Sequence, residues 1–290
     1  MSLSLPTATV ERARPLLGTT VVIRVEGEDD AAQMNAAISS AFAAIEHVHA
    51  RMSFHEPASD LSRLHQAPVG VRVRMDAATL AVLREAMALA ELTDGVFDVT
   101  MGAQLVRRGL LPTPNEGRTP DPSATWRDIE LLDDGVRLHR SAWIDLGGIA
   151  KGYAVDQAVL ALRAAGVACA CVDAGGDLRL IGNVPQRVAI DSGLASSQVA
   201  VIELADAAIA TSTGRAADYQ GAHLDGRTGL DAGRDRCASV ISAQCMHADA
   251  LTKVVLALGP GSDAALRHYG ATAYLQDSTG PWMALGESSP

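Results

Sequence analysis

The sequence predicts an α+β fold in which mixed sheets pack against helices, and three observations carry that prediction. Strand-type and helix-type hydrophobic periods are interspersed irregularly along the 290 residues, without the regular alternation of a doubly wound sheet. The middle of the chain reads as a β-turn-α-β unit with glycines at both turns. No internal repeat or low-complexity linker divides the chain. Residues 15–285 are therefore expected to form a single domain, or two intimate subdomains, behind an N-terminal tail at 1–14.

Taken in order, Leu17-Gly-Thr-Thr-Val-Val-Ile-Arg-Val25 alternates, with Val21, Ile23 and Val25 on one face, and reads as an early strand. Asp29 and Asp30 can cap a helix running to about Arg51, whose stripe is Met34, Ala37, Ile38, Ala41, Phe42, Ile45 and Val48. A second helix starts after Asp76 and buries Leu80, Leu83, Met87 and Ala90. Four prolines between residues 109 and 127 forbid regular structure, so this stretch is a loop, either a lid or an insertion. Trp143 to Asp145 ends a strand, Gly147-Gly148 turns, and a helix follows from about Ala150 to Ala165, with Gly166 at its C′ position. Strands follow at Ala168–Val172, Val188–Ile190, Val199–Leu204 and Ala238–Ser242, and a last helix runs from Asp249 to Leu258.

Composition narrows the function. Apolar residues make up 48% and aromatics only 3%, so the core is built from Ala, Val, Leu and Ile. A net charge of −10 argues against a nucleic-acid partner, which needs a basic face. No apolar run approaches the roughly 20 residues of a membrane span. Met1 to Arg14 lacks a basic segment followed by an apolar one. The chain as written is thus expected to be cytoplasmic, or exported if a signal segment has been removed. The four cysteines show neither disulfide density nor zinc spacing and read as buried free thiols, with Cys169 and Cys171 sharing one strand face.

Two of the 24 basic residues are lysine and the other 22 arginine, and both lysines fall in site-like sequence. A compact ammonium is not interchangeable with a guanidinium. Lys151 lies in Asp145-Leu-Gly-Gly-Ile-Ala-Lys-Gly-Tyr-Ala-Val-Asp156, where backbone N–H groups and a lysine meet at a helix N-terminus. That suits a phosphate, although the glycines also serve close strand–helix packing. Lys253 ends Ala248-Asp-Ala-Leu-Thr-Lys, in which Asp249 is either an N-cap or a metal ligand. His223 sits at a strand end before the turn Leu224 to Gly229, and Asp98 in a segment after the second helix.

Together these segments resemble the FAD:protein FMN transferases, the ApbE-like family formerly labelled thiamine-biosynthesis lipoproteins. The match in order and spacing runs from about residue 15 to 285. It includes Gly18-Thr, Met52-Ser53, Ser59 to Arg63, Gly95 to Gly102, Asp145 to Asp156, Ala174 to Asp177, Ala210 to Gly214, His223 to Gly229 and Ala248 to Leu251. The resemblance implies an ApbE-like flavin transferase fold. It also implies an enzyme that takes FAD as substrate, uses Mg²⁺, and moves FMN onto a Thr or Ser hydroxyl of an acceptor flavoprotein with release of AMP. By the same resemblance Leu17, Val96, Phe97, Asp98, Asp145, Lys151 and Leu224 bind the flavin nucleotide. Gly148, Asp249 and the Thr252 carbonyl are the implied metal ligands, and His223 the group that handles the acceptor's proton. The resemblance thus gives Asp249 and His223 as the catalytic pair.

Two residues depart from that family pattern. His55 stands in the slot of an aromatic residue that stacks on the flavin or adenine, and imidazole can still stack. Lys253 stands where a metal-binding threonine is expected, with Thr252 one position earlier, a helical rotation of about 100°. An ammonium has no lone pair to ligate a cation. The expected arrangement has Lys253 pointing away and Mg²⁺ keeping one more water; the alternative has the ammonium replacing part of the metal's charge. Two other functions fit the same residues: an FAD-binding protein without transferase activity, and an FAD pyrophosphatase giving FMN and AMP.

Overall fold

A computed structural model describes residues 8–27, 30–114, 117–192, 199–216, 219–220, 223–278 and 280–286. Its centre is an eight-stranded sheet whose strands follow one another in chain order: Ala8–Leu16, Thr19–Gly27, Cys169–Ala174, Asp177–Ile181, Ala208–Thr213, Arg236–Ser242, Thr272–Asp277 and Met283–Leu285. The helices are α1 (Ala31–Met52), α2 (Asp60–Gln66), α3 (Ala77–Leu92), α4 (Gly102–Arg107), α5 (Ala150–Ala164), α6 (Cys245–Leu258) and α7 (Asp263–His268). The fold is α+β. Among the described residues every ladder is antiparallel, where a mixed sheet was expected. The reason is the role of the helices. They are insertions between neighbouring antiparallel strands, not crossovers joining parallel ones. Trp143–Asp145 is not a sheet strand either; it runs extended beside the Val99–Gly102 turn, with Asp145 N–H donating to the Val99 carbonyl (2.8 Å).

The hairpin at the start of the chain corrects a second expectation. Residues 8–16 form the edge strand and pair fully with 19–27, so residues 8–14 of the expected tail are strand. The strand carries no fully buried residue, which is why its alternation gave no hydrophobic signal. Its inward side is Val10, Arg12, Arg14 and Leu16, and the arginines lie across α1. Arg12 reaches Ser39, and Arg14 sits over the Phe42 ring and reaches Glu46 (2.7 Å). Inward-facing charge of this kind blunts a sheet edge against pairing with another chain.

The main core lies between one face of the sheet and α1, α5 and α6. In α1, Asp30 accepts from the Ala32 and Gln33 amides as N-cap, and the stripe from Met34 to Val48 is buried as its period requires. Asp29 lies outside the described residues. In α3, capped by Asp76, Leu80, Leu83 and Ala90 are buried and Met87 is half-buried. Gly166 follows α5 at φ +83°, the left-handed conformation a C′ glycine supplies. The opposite face of the sheet carries a smaller core of Leu180, Ile190, Leu204 and Ile209 beneath the hairpin Gln186–Ile190/Ala200–Leu204. All four cysteines are free; Cys237 and Cys245 are buried, whereas Cys169 and Cys171 share the second face and are half-buried.

One buried histidine couples this frame to pH. His65, at the end of α2, accepts the Ile144 amide at Nε2 (2.8 Å) and so holds the segment leading to Asp145. Burial pushes its imidazole down to about 4. The folded pKa lies below the unfolded value, so this stabilisation is present above about pH 6.5 and is lost as pH falls from there toward about 4. The loss reaches about 3 kcal/mol at the limit. Urea midpoints measured at pH 7.5 and pH 5 are expected to differ much less in His65→Gln than in wild type; equal shifts in both proteins contradict the assignment.

Candidate active site

The glycine-rich segment 145–156 has a physical role at nearly every position. The Asp145 carboxylate accepts the Gly147 amide (3.1 Å) and shapes the turn into α5. Burial raises its pKa. Lys151, one residue into α5, forms an ion pair with Asp177 on the sheet. Burial alone would lower the Lys151 pKa, but the Asp249 and Asp177 carboxylates lift it above its ordinary value. Burial and the nearby Asp249 push Asp177 up to about 6 against the pull of Lys151. Gly152 lets α5 touch α6: a Cβ there would lie 2.6 Å from the Cys245 carbonyl carbon and 2.8 Å from Met246 Cα. Its amide donates to Asp249 Oδ2 (3.1 Å). Asp156 closes the segment by accepting the Cys245 and Met246 amides (both 2.9 Å), so α5 supplies the N-terminal cap of α6.

Asp249 is therefore not an N-cap. α6 begins at Cys245, and Asp249 sits one turn in, fully buried. Its Oδ2 takes the Gly152 amide, and its Oδ1 is ion-paired with Lys253 one turn further along. The Lys253 ammonium also donates to the Asp249 carbonyl (3.0 Å) and Ser212 Oγ (3.2 Å), and its side chain is 12% exposed. Burial opposes ionisation of Asp249, but Lys253 and Lys151 win and hold its pKa below the ordinary value. The expectation that Lys253 points away does not hold. At i+4 Lys253 lies on the same helix face as Asp249, and the buried carboxylate captures it. Thr252 is fully buried, with its hydroxyl donating to the Asp249 carbonyl (2.7 Å) and sharing a hydrogen bond with Ser212 (2.8 Å).

Above this floor lie two adjoining clefts with Asp145 in both. One is lined by Leu17, Met52, His55, Leu111, Asp145 and Lys151. Leu17 sits at φ +55° beside Gly18 at φ +73°, the hairpin turn of the edge strands. Leu111 comes from the proline-rich loop, and Pro112 to Pro114 wall the far side of the exposed His55, so that loop belongs to the site. The second cleft collects Val96, Phe97, Asp98, Asp145, Gly148, His223, Leu224 and Lys253. Gly226 brings the His223 segment onto the Gly95–Asp98 loop, its amide donating to the Val96 carbonyl (3.0 Å). Asp98 has a structural share too: Oδ1 accepts the Thr100 amide and hydroxyl, and Oδ2 the Trp126 amide. Burial raises its pKa. His223 is pushed down to about 3, by burial first and then by the Lys253 charge, and is neutral at ordinary pH.

The structure thus gathers Leu17, His55, Val96, Phe97, Asp98, Asp145, Gly148, Lys151, His223 and Leu224 around one opening, with Asp249 and Thr252 beneath it. Asp156, Asp177 and Ser212 also build the site without a role predicted from sequence. Each lies inside a segment that carries the family resemblance, and only its position in space assigns the role. The expected metal ligands do not fit Mg²⁺. Both Asp249 oxygens are engaged, Thr252 is enclosed, and the Lys253 stem lies along Gly148, where a Cβ would meet its Cε at 3.5 Å. A dication 4 Å from that ammonium would meet repulsion of about 8 kcal/mol at an effective dielectric of 20. Among the described residues no group of three His, Cys, Asp or Glu side chains is placed to hold a metal ion.

Such a site, with two ammoniums and a helix N-terminus at one divided cleft, has the chemistry of an anion-binding enzyme site. The chain belongs to the ApbE family, whose sequence profile matches residues 17–275. The FAD:protein FMN transferase of Vibrio cholerae serotype O1 is 29% identical over 280 residues, covering 88% of this chain and 83% of that protein. The FAD:protein FMN transferase of Haemophilus influenzae is 28% identical over 177 residues, 55% of this chain and 51% of the relative. The structure of the flavin transferase ApbE from Vibrio cholerae superimposes with a TM-score of 0.81 at 26% identity, covering 97% of this chain and 98% of that one. The apo Pseudomonas stutzeri flavinyl transferase ApbE shares the fold, with a TM-score of 0.82 at 22% identity over 98% and 95% of the two chains. No helix among the described residues is long and apolar enough to cross a membrane.

Proposed function

We propose that this enzyme transfers the FMN moiety of FAD to a Thr or Ser hydroxyl of an acceptor flavoprotein and releases AMP. The observation that supports the reading is the cleft divided at Asp145: Lys151 lines one lobe and Lys253 the other, so a dinucleotide lying across Asp145 would meet an ammonium on each side. The acceptor hydroxyl oxygen attacks the phosphorus of the FMN half. The new O–P bond forms as the P–O bond to AMP breaks, and AMP departs with the bridging oxygen and its electron pair. His223 takes the hydroxyl proton and passes it to solvent. A neutral imidazole is the form a proton acceptor needs, and the negative charge of a bound pyrophosphate raises its basicity from the low resting value. The turn at Gly148 and the start of α5 would meet the phosphates with the backbone N–H groups that Asp145, Leu146 and Asp249 do not already hold.

Incubation with FAD and a candidate acceptor, followed by mass spectrometry of acceptor and nucleotides, tests the assignment. A gain on the acceptor equal to FMN, with AMP released, is expected. Free FMN and AMP with an unmodified acceptor means a pyrophosphatase, and intact FAD means a binding protein.

A further inference from the structure

We propose that Lys253 is the resident cation of this site, its ammonium meeting the pyrophosphate in place of a divalent metal, so that transfer proceeds without Mg²⁺. The inference rests on the flavin-transfer reading above and concerns how that reaction's charge is met.

Three observations converge. The first is placement: the Lys253 ammonium is seated on the Asp249 carboxylate, and the residue lines the cleft with Asp145, Gly148 and His223. Of its three donors, two stay within the Asp249 residue; the third, to Ser212, is the longest contact and is the one a phosphate oxygen would replace. Ser212 keeps its bond to Thr252 when that happens. The second is charge. Asp177 and Asp249 are both buried, and Lys151 and Lys253 match them one to one. Neither of these two carboxylates is left uncompensated to recruit a dication. The third is residue choice: in a chain with 22 arginines, the only two lysines stand on these two carboxylates. Beside Gly148 there is room for a narrow methylene stem, whose Cε a Cβ at that glycine would meet at 3.5 Å. A broad planar guanidinium does not substitute for that shape. As the bond to AMP breaks, charge accumulates on the phosphate oxygens, and a fixed ammonium stabilises it without reorganisation.

The test uses the full chain, freed of metal by dialysis against EDTA, with two readouts. Mn²⁺ binding is followed by electron paramagnetic resonance with and without FAD, and AMP release is followed by chromatography with EDTA or millimolar Mg²⁺. Wild type is expected to leave Mn²⁺ free and to change its rate by less than about twofold on adding Mg²⁺. Lys253→Met is expected to lose about 100-fold in rate whether or not metal is added. Lys253→Thr, which vacates the carboxylate and restores an oxygen ligand, is expected to bind Mn²⁺ and to regain rate with Mg²⁺. A wild type that is silent in EDTA and revived by Mg²⁺ overturns the proposal. If neither protein processes FAD under any condition, the transfer reading fails and the Mn²⁺ measurement still decides the role of Lys253. Binding to Lys253→Thr alone supports it, and the same signal from both proteins overturns it.

Discussion

An alanine at Gly152 is expected to destabilise the protein by about 2 kcal/mol and to slow AMP release about 100-fold, although helix propensity alone predicts a gain. In an exposed helix interior, Gly→Ala stabilises by up to about 1 kcal/mol. Here the new methyl would meet the Cys245 carbonyl and Met246 Cα, backbone atoms that no rotamer change can move aside. Overpacking of this kind costs about 1–3 kcal/mol and sometimes more, so the steric term wins. The consequence for the site follows from what else crosses that contact. Asp156 caps α6, and the Gly152 amide orients Asp249, so pushing the helices apart displaces the carboxylate that seats Lys253. A misplacement of about 1 Å at a reacting centre is enough for a 100-fold loss. Urea denaturation and a rate assay on the same preparation check both parts. A stabilised Gly152→Ala variant would show that the helix crossing yields.

The particular residues explain what was legible in the sequence. The stripe of α1 and its Asp30 cap are local features with a 3.6-residue period, and they stand as read. So does the C′ glycine after α5, because a left-handed position leaves a direct mark on residue choice. The edge strand at 8–16 was missed because its inward face is held by arginines, a tertiary solution that erases the two-residue period. The mixed sheet was misread because a helix between two extended runs looks like a crossover, and only pairing reveals that the run ending at Asp145 is outside the sheet. In the site, the residues implied by family resemblance line two adjoining clefts that share Asp145, apart from Asp249 and Thr252, which line neither. What resemblance could not supply was the direction of Lys253. That depends on a full turn of helix, on Gly148 leaving room for the stem, and on the Gly152 amide already holding one oxygen of Asp249. These contacts join segments about 100 residues apart in the chain.

Asp249→Asn is expected to be the most damaging single change, because the amide matches the carboxylate in shape and fails in polarity. The Gly152 amide needs an acceptor, so the asparagine oxygen must face it, and the NH₂ group then points at the Lys253 ammonium. A donor faces a donor in a site with no solvent: Asp249 is fully buried and the Lys253 side chain is 12% exposed. Breaking a buried ion pair by neutralising one partner costs about 3–5 kcal/mol, a large share of the stability of an ordinary domain. AMP release is expected to fall at least about 100-fold as the ammonium leaves its seat. The double variant Asp249→Asn/Lys253→Met separates folding from chemistry. Removing both charges leaves neither uncompensated, and such replacements are often close to neutral, so stability should return to within about 1 kcal/mol of wild type. Activity should not return, because the cation facing the pyrophosphate is gone. Thermal or urea melts of the four proteins form a double-mutant cycle whose coupling energy measures the pair directly. A single Asp249→Asn variant as stable as wild type would mean that the carboxylate and the ammonium do not share a buried contact. Recovery of activity in the double variant would place the transition-state charge on Lys151 alone.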